Sequence, residues 1–249
     1  MINLLVPASL RAMLPERSGQ DVEAVREFFN QWAFYRRIVD LNYLSHAEAM
    51  PALRGWLAGR AGAFAFMDLG CGDAYYTTQM LAGLPLSRYR AVDLSPVALE
   101  LAERNAAALG CPFTAHCGDF ADEARAEGDA FDVICVGLSF HHLPKAAKAE
   151  FCQNVRARLL PGGAFVFFEP FLREGESRDA YLVRWMDHAR RVWTRLDADD
   201  MMAVEDHVTK YDFPETRATY AVMALGAGFE KADTIFEDPT GFYAITVCS

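Results

Sequence analysis

Hydrophobic residues fall in short, uninterrupted runs that alternate with helical spacing through the middle of the chain. Runs that are apolar on both faces are typical of strands in a parallel sheet covered on both sides. We predict five such strands, in AFAFMDL (63–69), YRAVDLS (89–95), CPFTAHCGDF (111–120), FDVICVGLS (131–139) and AFVFFEPF (164–171). Since helical patterns separate them, the spacing predicts right-handed crossovers and a doubly wound α/β sheet.

The two ends of the chain follow other patterns. Residues 21–44 and 46–59 show helical spacing before the first strand. After the fifth strand, the pattern predicts a helical insert over about residues 172–212. Two closing strands on either side of a DPTG turn should pair as an antiparallel hairpin. We therefore divide the chain into an N-terminal helical cap, 1–61, and a sheet domain, 62–249, that contains the insert.

The composition narrows the class of protein. The 249 residues carry a formal net charge of −10, whereas proteins that bind nucleic acid usually present a basic surface, so we expect no nucleic-acid partner. No apolar run reaches the roughly 18 residues of a membrane span, so we expect no membrane association. The six cysteines form no C-x-x-C pair and no basic segment precedes the apolar N-terminus, which favours a cytoplasmic protein with reduced thiols.

The segment FMDLGCGDAYYTTQML places two glycines between a predicted strand and a helix start. Gly70 and Gly72 can bring backbone N–H groups close to a polar ligand, or they can form only a tight turn. The dinucleotide pattern G-x-G-x-x-G fails because Tyr75 occupies the third glycine position. No G-K-[ST] follows either, so the loop does not indicate a phosphate site.

Two carboxylates follow the next strands. Asp93 ends the second strand, and a carboxylate there can accept hydrogen bonds from a ribose diol. The alternative is a helix-capping role in DLSP. Asp119 follows the third strand and can accept from an exocyclic amine, with Phe120 stacking beside it, or can bond its own backbone.

Taken together, these segments resemble the class I S-adenosylmethionine-dependent methyltransferases. The stretches that carry the resemblance are FMDLGCGDA, YRAVDLSPVALELAERN, CGDF, FDVICVGLSFHHLP and LLPGGAFVFFEPF, and they cover about residues 62–171. The family implies a three-layer αβα Rossmann-like fold with a seven-stranded sheet ordered 3-2-1-4-5-7-6, strand 7 being antiparallel. Ala74 departs from the family pattern, which often has a third glycine there.

The resemblance also implies a cofactor, S-adenosylmethionine, and a product, S-adenosylhomocysteine. It implies a set of cofactor contacts at the strand ends: Asp68, Gly70, Cys71 and Gly72 for the methionine part, Asp93 and Leu94 for the ribose, Asp119 and Phe120 for the adenine, and Leu138 and Ser139 near the sulfonium.

The chemistry needs an acceptor aligned with the sulfonium methyl and no metal, although some acceptors must also lose a proton. His141, His142 and Glu169 follow the fourth and fifth strands and are our candidates for that base. Each has a structural alternative, because histidines also occur at helix entries and a carboxylate can fix a loop.

The acceptor site should lie under the cap and the insert. We expect the polar aromatic residues Tyr35, Tyr43 and His46 on the cap side, and Tyr181 and Trp185 on the insert side. Helical aromatics are otherwise more often core. The basic residues between 184 and 195 could bind an acidic substrate, but pairing on a solvated helix face is the simpler interpretation.

The sequence therefore predicts a methyltransferase that acts on a small-molecule acceptor by in-line displacement. The alternatives are an enzyme that modifies the cofactor itself and a catalytically silent module that binds it. An RNA or protein methyltransferase is less favoured by the acidic charge.

Overall fold

The computed structural model describes residues 32–249 of the chain. Two helices precede the sheet, α1 (Trp32–Asp40) and α2 (His46–Ala58). The first helix was predicted over 21–44, and its residues 21–31 lie outside the described part. It ends at Asp40, earlier than predicted, and a turn with Asn42 at φ 56° follows.

Strands and helices then alternate through the predicted core of the fold. In chain order they are β1 (Phe64–Leu69), α3 (Tyr75–Leu81), β2 (Leu86–Asp93), α4 (Pro96–Ala106), β3 (Phe113–Cys117), α5 (Phe120–Arg125), β4 (Phe131–Gly137), α6 (Lys145–Ala157) and β5 (Leu159–Leu172). The fifth strand begins before the predicted residue 164, because Leu159 already pairs with Phe131.

The insert after β5 forms two helices, α7 (Arg178–Val192) and α8 (Ala198–Tyr211). Asp197 caps α8 through a reciprocal capping box with Asp200. The chain closes with β6 (Glu215–Thr216), α9 (Arg217–Gly226), β7 (Ala232–Glu237) and β8 (Tyr243–Cys248).

The sheet order is β3-β2-β1-β4-β5-β8-β7, with the short β6 pairing beside β5. Because β6 takes a number, β8 and β7 are the seventh and sixth strands of the predicted order 3-2-1-4-5-7-6. The predicted order is thus confirmed. β8 runs antiparallel to both β5 and β7, whereas the neighbours from β3 to β5 are parallel.

The strands are apolar on both faces because each face has its own core. Along β1, Phe66 packs in the core on the side of α2, α3 and α4, and its neighbour Met67 packs in the core beside α5, α6 and α9. Cap residues such as Leu53 and insert residues such as Val204 belong to the first of these cores. The cap and insert therefore cover the same face of the sheet.

The glycine loop depends on a close approach that only glycine allows. Gly70 has φ +71°, and a Cβ there would lie 2.8 Å from the Cβ of Ser139. Gly83 has a similar φ of +75° but nothing within 4 Å of a Cβ. Comparing alanine substitutions at these two positions therefore separates the cost of backbone strain from the cost of steric overlap.

We predict that Gly70→Ala destabilises the protein by about 1–3 kcal/mol more than Gly83→Ala, because both are strained but only the first overpacks. Urea unfolding midpoints, compared at an unchanged slope, measure the difference. Equal losses for the two variants would show that Ser139 moves aside without cost.

Candidate functional site

The carboxyl ends of the parallel strands surround a large cavity. We call it the glycine-loop cavity; it encloses about 1150 Å³ including its open mouth. It is lined by residues from the loop after β1, the ends of β2 and β4, and the cap, among them Gly70, Asp73, Asp93, Leu138, Tyr35 and His46. Ligands of open α/β sheets bind in such a crevice, outside the carboxyl ends of the strands.

The glycine loop turns twice through left-handed backbone conformations. Gly70 has φ 71° and Gly72 has φ 55°, and Ala74 adopts φ 52° at the position where the family often has glycine. The N–H groups of Gly70 and Cys71 both donate to the carbonyl of Val92, which ties the loop to the end of β2. The cofactor contacts predicted for Gly70, Cys71 and Gly72 thus fall on residues that line the cavity.

Asp93 connects the loop and the following helix. Its Oδ2 accepts from the Gly72 N–H at 2.8 Å, and its Oδ1 accepts from the Ser95 N–H at 2.8 Å. Burial raises the pKa of Asp93, against the opposing effect of the backbone donors. Capping and ligand binding are compatible, because each carboxylate oxygen has a second lone pair and the residue lines the cavity.

Asp68 forms the floor of the same cavity. It is buried, and Tyr89 donates to its Oδ2 at 3.2 Å. Burial raises the pKa of Asp68 to about 6, although hydrogen bonds from Thr77 and Tyr89 oppose the shift. A carboxyl group of this kind is stabilised as an anion by any positively charged ligand group beside it.

The segment after β3 reaches the cavity through Gly118 and Phe120. Asp119 caps α5, since its Oδ1 accepts from the Ala121 N–H at 2.7 Å. This is the alternative role that the sequence left open. Phe120 is mostly buried and packs edge-on against Phe151, so one part of its ring is core and another faces the cavity.

Glu169 organises the loop that follows β4. Its Oε1 accepts from the backbone N–H groups of Ser139 at 3.0 Å and Phe140 at 2.9 Å. Its Oε2 accepts from the His141 N–H at 2.9 Å and lies 2.5 Å from the His141 Nδ1. The carboxylate is fully buried. Of the two roles considered for Glu169, the contacts favour fixing the loop over acting as a base.

Three histidines surround a second buried carboxylate, that of Asp212. Its Oδ1 lies 3.5 Å from His141 Nε2, 3.4 Å from His142 Nδ1 and 3.9 Å from His207 Nε2. Burial alone would lower the pKa of His141, but the carboxylates of Asp212 and Glu169 outweigh it and raise the pKa to about 9. Burial lowers the pKa of His207 to about 3. At neutral pH, His141 is therefore a cation and His207 is neutral.

The cluster lies at the polar end of a second cavity, which we call the aromatic cavity and which encloses about 560 Å³ including its open mouth. Its walls come from α1, α7, α8 and the end of β8, and include Ile38, Tyr181, Trp185, Trp193, Val208 and Tyr243. Tyr181 and Trp185 are the two residues predicted on the insert side of an acceptor site. The aromatic and glycine-loop cavities share three lining residues, Tyr35, Leu138 and His142.

The remaining cap predictions fall in different places. His46 lines the glycine-loop cavity, where it meets Tyr76 and Phe168. Tyr43 stacks on the far side of Trp193, with ring centroids 4.9 Å apart, and its hydroxyl accepts from the Arg195 N–H. It supports the wall of the aromatic cavity without lining it. Both assignments to an acceptor stay predictions.

Sequence reasoning missed Asp212 and Tyr243. Asp212 ends the insert, 71 positions after His141 in the sequence, and no motif links the two. Tyr243 lies in the closing hairpin, which attracted attention only as a pair of strands. Leu138 was predicted as a site residue, but its left-handed φ of 51° was not, because a leucine does not indicate that conformation.

Known proteins provide an independent comparison. A family model described as a methyltransferase domain matches residues 66–163. Carboxy-S-adenosyl-L-methionine synthase from Campylobacter curvus is 27% identical over 69% of this chain and 71% of its own length. Release factor glutamine methyltransferase from Bordetella pertussis is 32% identical over 63% of this chain and 66% of its own length.

The fold has a solved counterpart. Magnesium protoporphyrin IX methyltransferase from Synechocystis PCC 6803, with S-adenosylhomocysteine bound, superposes with a TM-score of 0.63. It is 13% identical, and the match covers 92% of this chain and 98% of that one. Separately, within residues 32–249 every helix is too short or too polar to cross a bilayer.

We predict that Glu169→Gln destabilises the protein by about 2–4 kcal/mol, because the amide leaves two buried donors facing an NH2 group. Glu237→Gln is the matched control, since Glu237 is about half exposed and pairs with Arg217 at the surface. We expect the control to cost less than about 1 kcal/mol. Urea denaturation measures both, and similar losses would contradict the loop-fixing role.

Proposed function

Because the chain belongs to the class I S-adenosylmethionine-dependent methyltransferases, we propose that it methylates a small molecule held in the aromatic cavity. One observation carries this proposal. The glycine-loop cavity and the aromatic cavity are neighbours that share Tyr35, Leu138 and His142 in their walls. A cofactor in the first and an acceptor in the second would meet at these three residues.

The glycine-loop cavity fits the cofactor chemically. Gly70 leaves no room for a Cβ beside Ser139, and the buried carboxylate of Asp68 and the partly buried carboxylate of Asp93 line the cavity. We assign Asp93 and Leu94 to the ribose hydroxyls, and Asp68, Gly70, Cys71 and Gly72 to the methionine part. Gly118 and Phe120 would frame the adenine, with Asp119 supporting them as a helix cap.

S-adenosylmethionine supplies a sulfonium methyl group that an aligned nucleophile takes by in-line displacement. The protein's part is to hold the acceptor at the junction, exclude water and, where needed, accept a proton. Burial raises the pKa of Tyr35, so its hydroxyl stays protonated and can donate a hydrogen bond to the acceptor. Leu138 and Ser139 would border the methyl group.

His142 is the base that we propose. Its Nδ1 lies 3.1 Å from the carbonyl oxygen of Tyr211, and a carbonyl only accepts, so this nitrogen carries the proton. When the ring is neutral, the lone pair therefore lies on Nε2. His141 is less suited, because its ring is already protonated between Glu169 and Asp212.

One relative favours a second candidate. The carboxy-S-adenosyl-L-methionine synthase is similar to this chain over 177 residues, so modification of the cofactor itself is the alternative function. The two functions differ in product. Methyl transfer releases S-adenosylhomocysteine, and the alternative yields a carboxylated cofactor instead.

Calorimetric titration tests the cofactor site. We expect S-adenosylmethionine and S-adenosylhomocysteine to bind and NAD not to bind. Asp93→Asn should weaken both by about tenfold or more, because a charge-assisted hydrogen bond is worth roughly 1.5–3 kcal/mol. Asp122→Asn is the control, since that side chain is exposed on α5 and should leave affinity unchanged. Equal affinities for the two variants would exclude Asp93 from the ribose site.

The proposed base predicts a different pattern. Once a screen for S-adenosylhomocysteine release has found an acceptor, His142→Gln should lower kcat by about 10²–10⁴. Its affinity for S-adenosylhomocysteine should change little. His116→Gln, at a half-exposed position on β3, controls for loss of a histidine. A full kcat in His142→Gln would mean that positioning alone supports the reaction.

A further inference from the structure

Two polar groups in the walls of the aromatic cavity are hydrogen-bonded to each other. The Trp185 Nε1–H donates to the Tyr243 hydroxyl at 2.9 Å. Trp193 lies edge-on to Trp185 at 5.0 Å between ring centroids, with Tyr43 stacked behind it. Since the Trp185 N–H and the Tyr243 hydroxyl bond to each other, these walls present ring faces and aliphatic groups such as Val208 to an occupant. Such walls suit a flat, largely apolar body.

Lysine and arginine side chains are absent from the lining of this cavity in the part of the chain that the structure describes. Two arginines of the insert pair with carboxylates outside the cavity. Arg184 pairs with Glu176 at 2.7 Å, and Arg190 pairs with Glu205 at 2.8 Å. Binding of an acidic substrate by these residues is therefore not supported by their contacts.

The polar end of the cavity is rich in carboxylate. Asp212 lines it directly, and Glu169 lies immediately behind His141. The imidazolium of His141 is shared between these two carboxylates. The buried ammonium of Lys148 is nearby but donates to the carbonyls of Leu143 and Phe213, and it does not line the cavity. An anion entering here would lose its hydration and meet the carboxylate of Asp212, while the imidazolium of His141 is already engaged by two carboxylates.

We infer that the acceptor is a small, uncharged ring compound whose hydroxyl or amine group is the site of methylation. The ring would pack against Trp185 and Trp193. The hydroxyl or amine would point to the junction, where it can donate to His142. This inference rests on the proposed function, because it assigns the occupant of the proposed acceptor cavity. It excludes carboxylates and phosphonates as preferred acceptors.

Three probes of one shape test the inference. We would titrate 2-naphthol, 2-naphthylamine and 2-naphthoate into protein saturated with S-adenosylhomocysteine, near neutral pH, and follow the heat of binding. The first two should bind about tenfold or more tightly than the carboxylate, since only the carboxylate brings a charge into the cavity. Equal or tighter binding of 2-naphthoate, or no binding of any probe, would overturn the inference.

Two variants connect the preference to residues. Asp212→Asn should reduce the ratio of the affinities for 2-naphthol and 2-naphthoate several-fold, whereas Asp206→Asn should leave that ratio unchanged. Asp206 lies on α8 as well, but it is exposed and pairs with Lys210. An unchanged ratio in Asp212→Asn would contradict the electrostatic argument.

Trp185→Leu provides a second test of the inference if the Asp212→Asn variant fails to fold. It should weaken 2-naphthol several-fold and leave the affinity for S-adenosylhomocysteine unchanged, because Trp185 lines only the aromatic cavity. Unchanged 2-naphthol affinity would again overturn the inference. Wild-type protein that binds no S-adenosylhomocysteine would instead contradict the proposed function, and the inference would fall with it.

Discussion

The site depends on one buried carboxylate. Glu169 lies at the end of β5, and its two oxygens hold three consecutive backbone N–H groups and a ring nitrogen of the loop after β4. This loop carries Ser139 against Gly70 and His142 between the two cavities. An isolated buried carboxylate is costly, but one that accepts four hydrogen bonds, one from an imidazolium, is stabilised. The parallel pairing of β4 and β5 supplies this geometry, so sheet and site are specified together.

The parts of the fold that the sequence predicts are those with a local signal. Runs such as FDVICVG are apolar on both faces because helices cover both sides of the sheet, and this pattern predicts a parallel sheet with right-handed crossovers. The strand order was implied by the family resemblance. The glycine loop and Asp93 were predictable for a similar reason. Their spacing reflects one strand, one turn and one helix, and the structure does bring Asp93 to the Gly72 N–H.

On the acceptor side, helical spacing predicted Tyr181 and Trp185, but other lining residues had no such signal. Asp212, Trp193 and Tyr243 come from the insert and the closing hairpin, and only the packing of α7 and α8 over the sheet brings them together. Glu169 shows a second limit. A carboxylate at a strand end is consistent with a base and with a loop anchor, and the sequence does not contain the donors that decide between them. Likewise, only tertiary contact makes Trp193 part of the cavity wall and Tyr43 the residue that supports it.

The two carboxylates also give the adjacent histidines different roles. His141 bonds Glu169 on one side and approaches Asp212 on the other, so it remains protonated and serves as a fixed positive charge. His142 directs its Nδ1 to the carbonyl of Tyr211, so in the neutral ring the other nitrogen holds the lone pair. Without His141, two carboxylates would face each other in a buried site with no imidazolium between them. The imidazolium of His141 therefore offsets the charge of both carboxylates beside an apolar cavity.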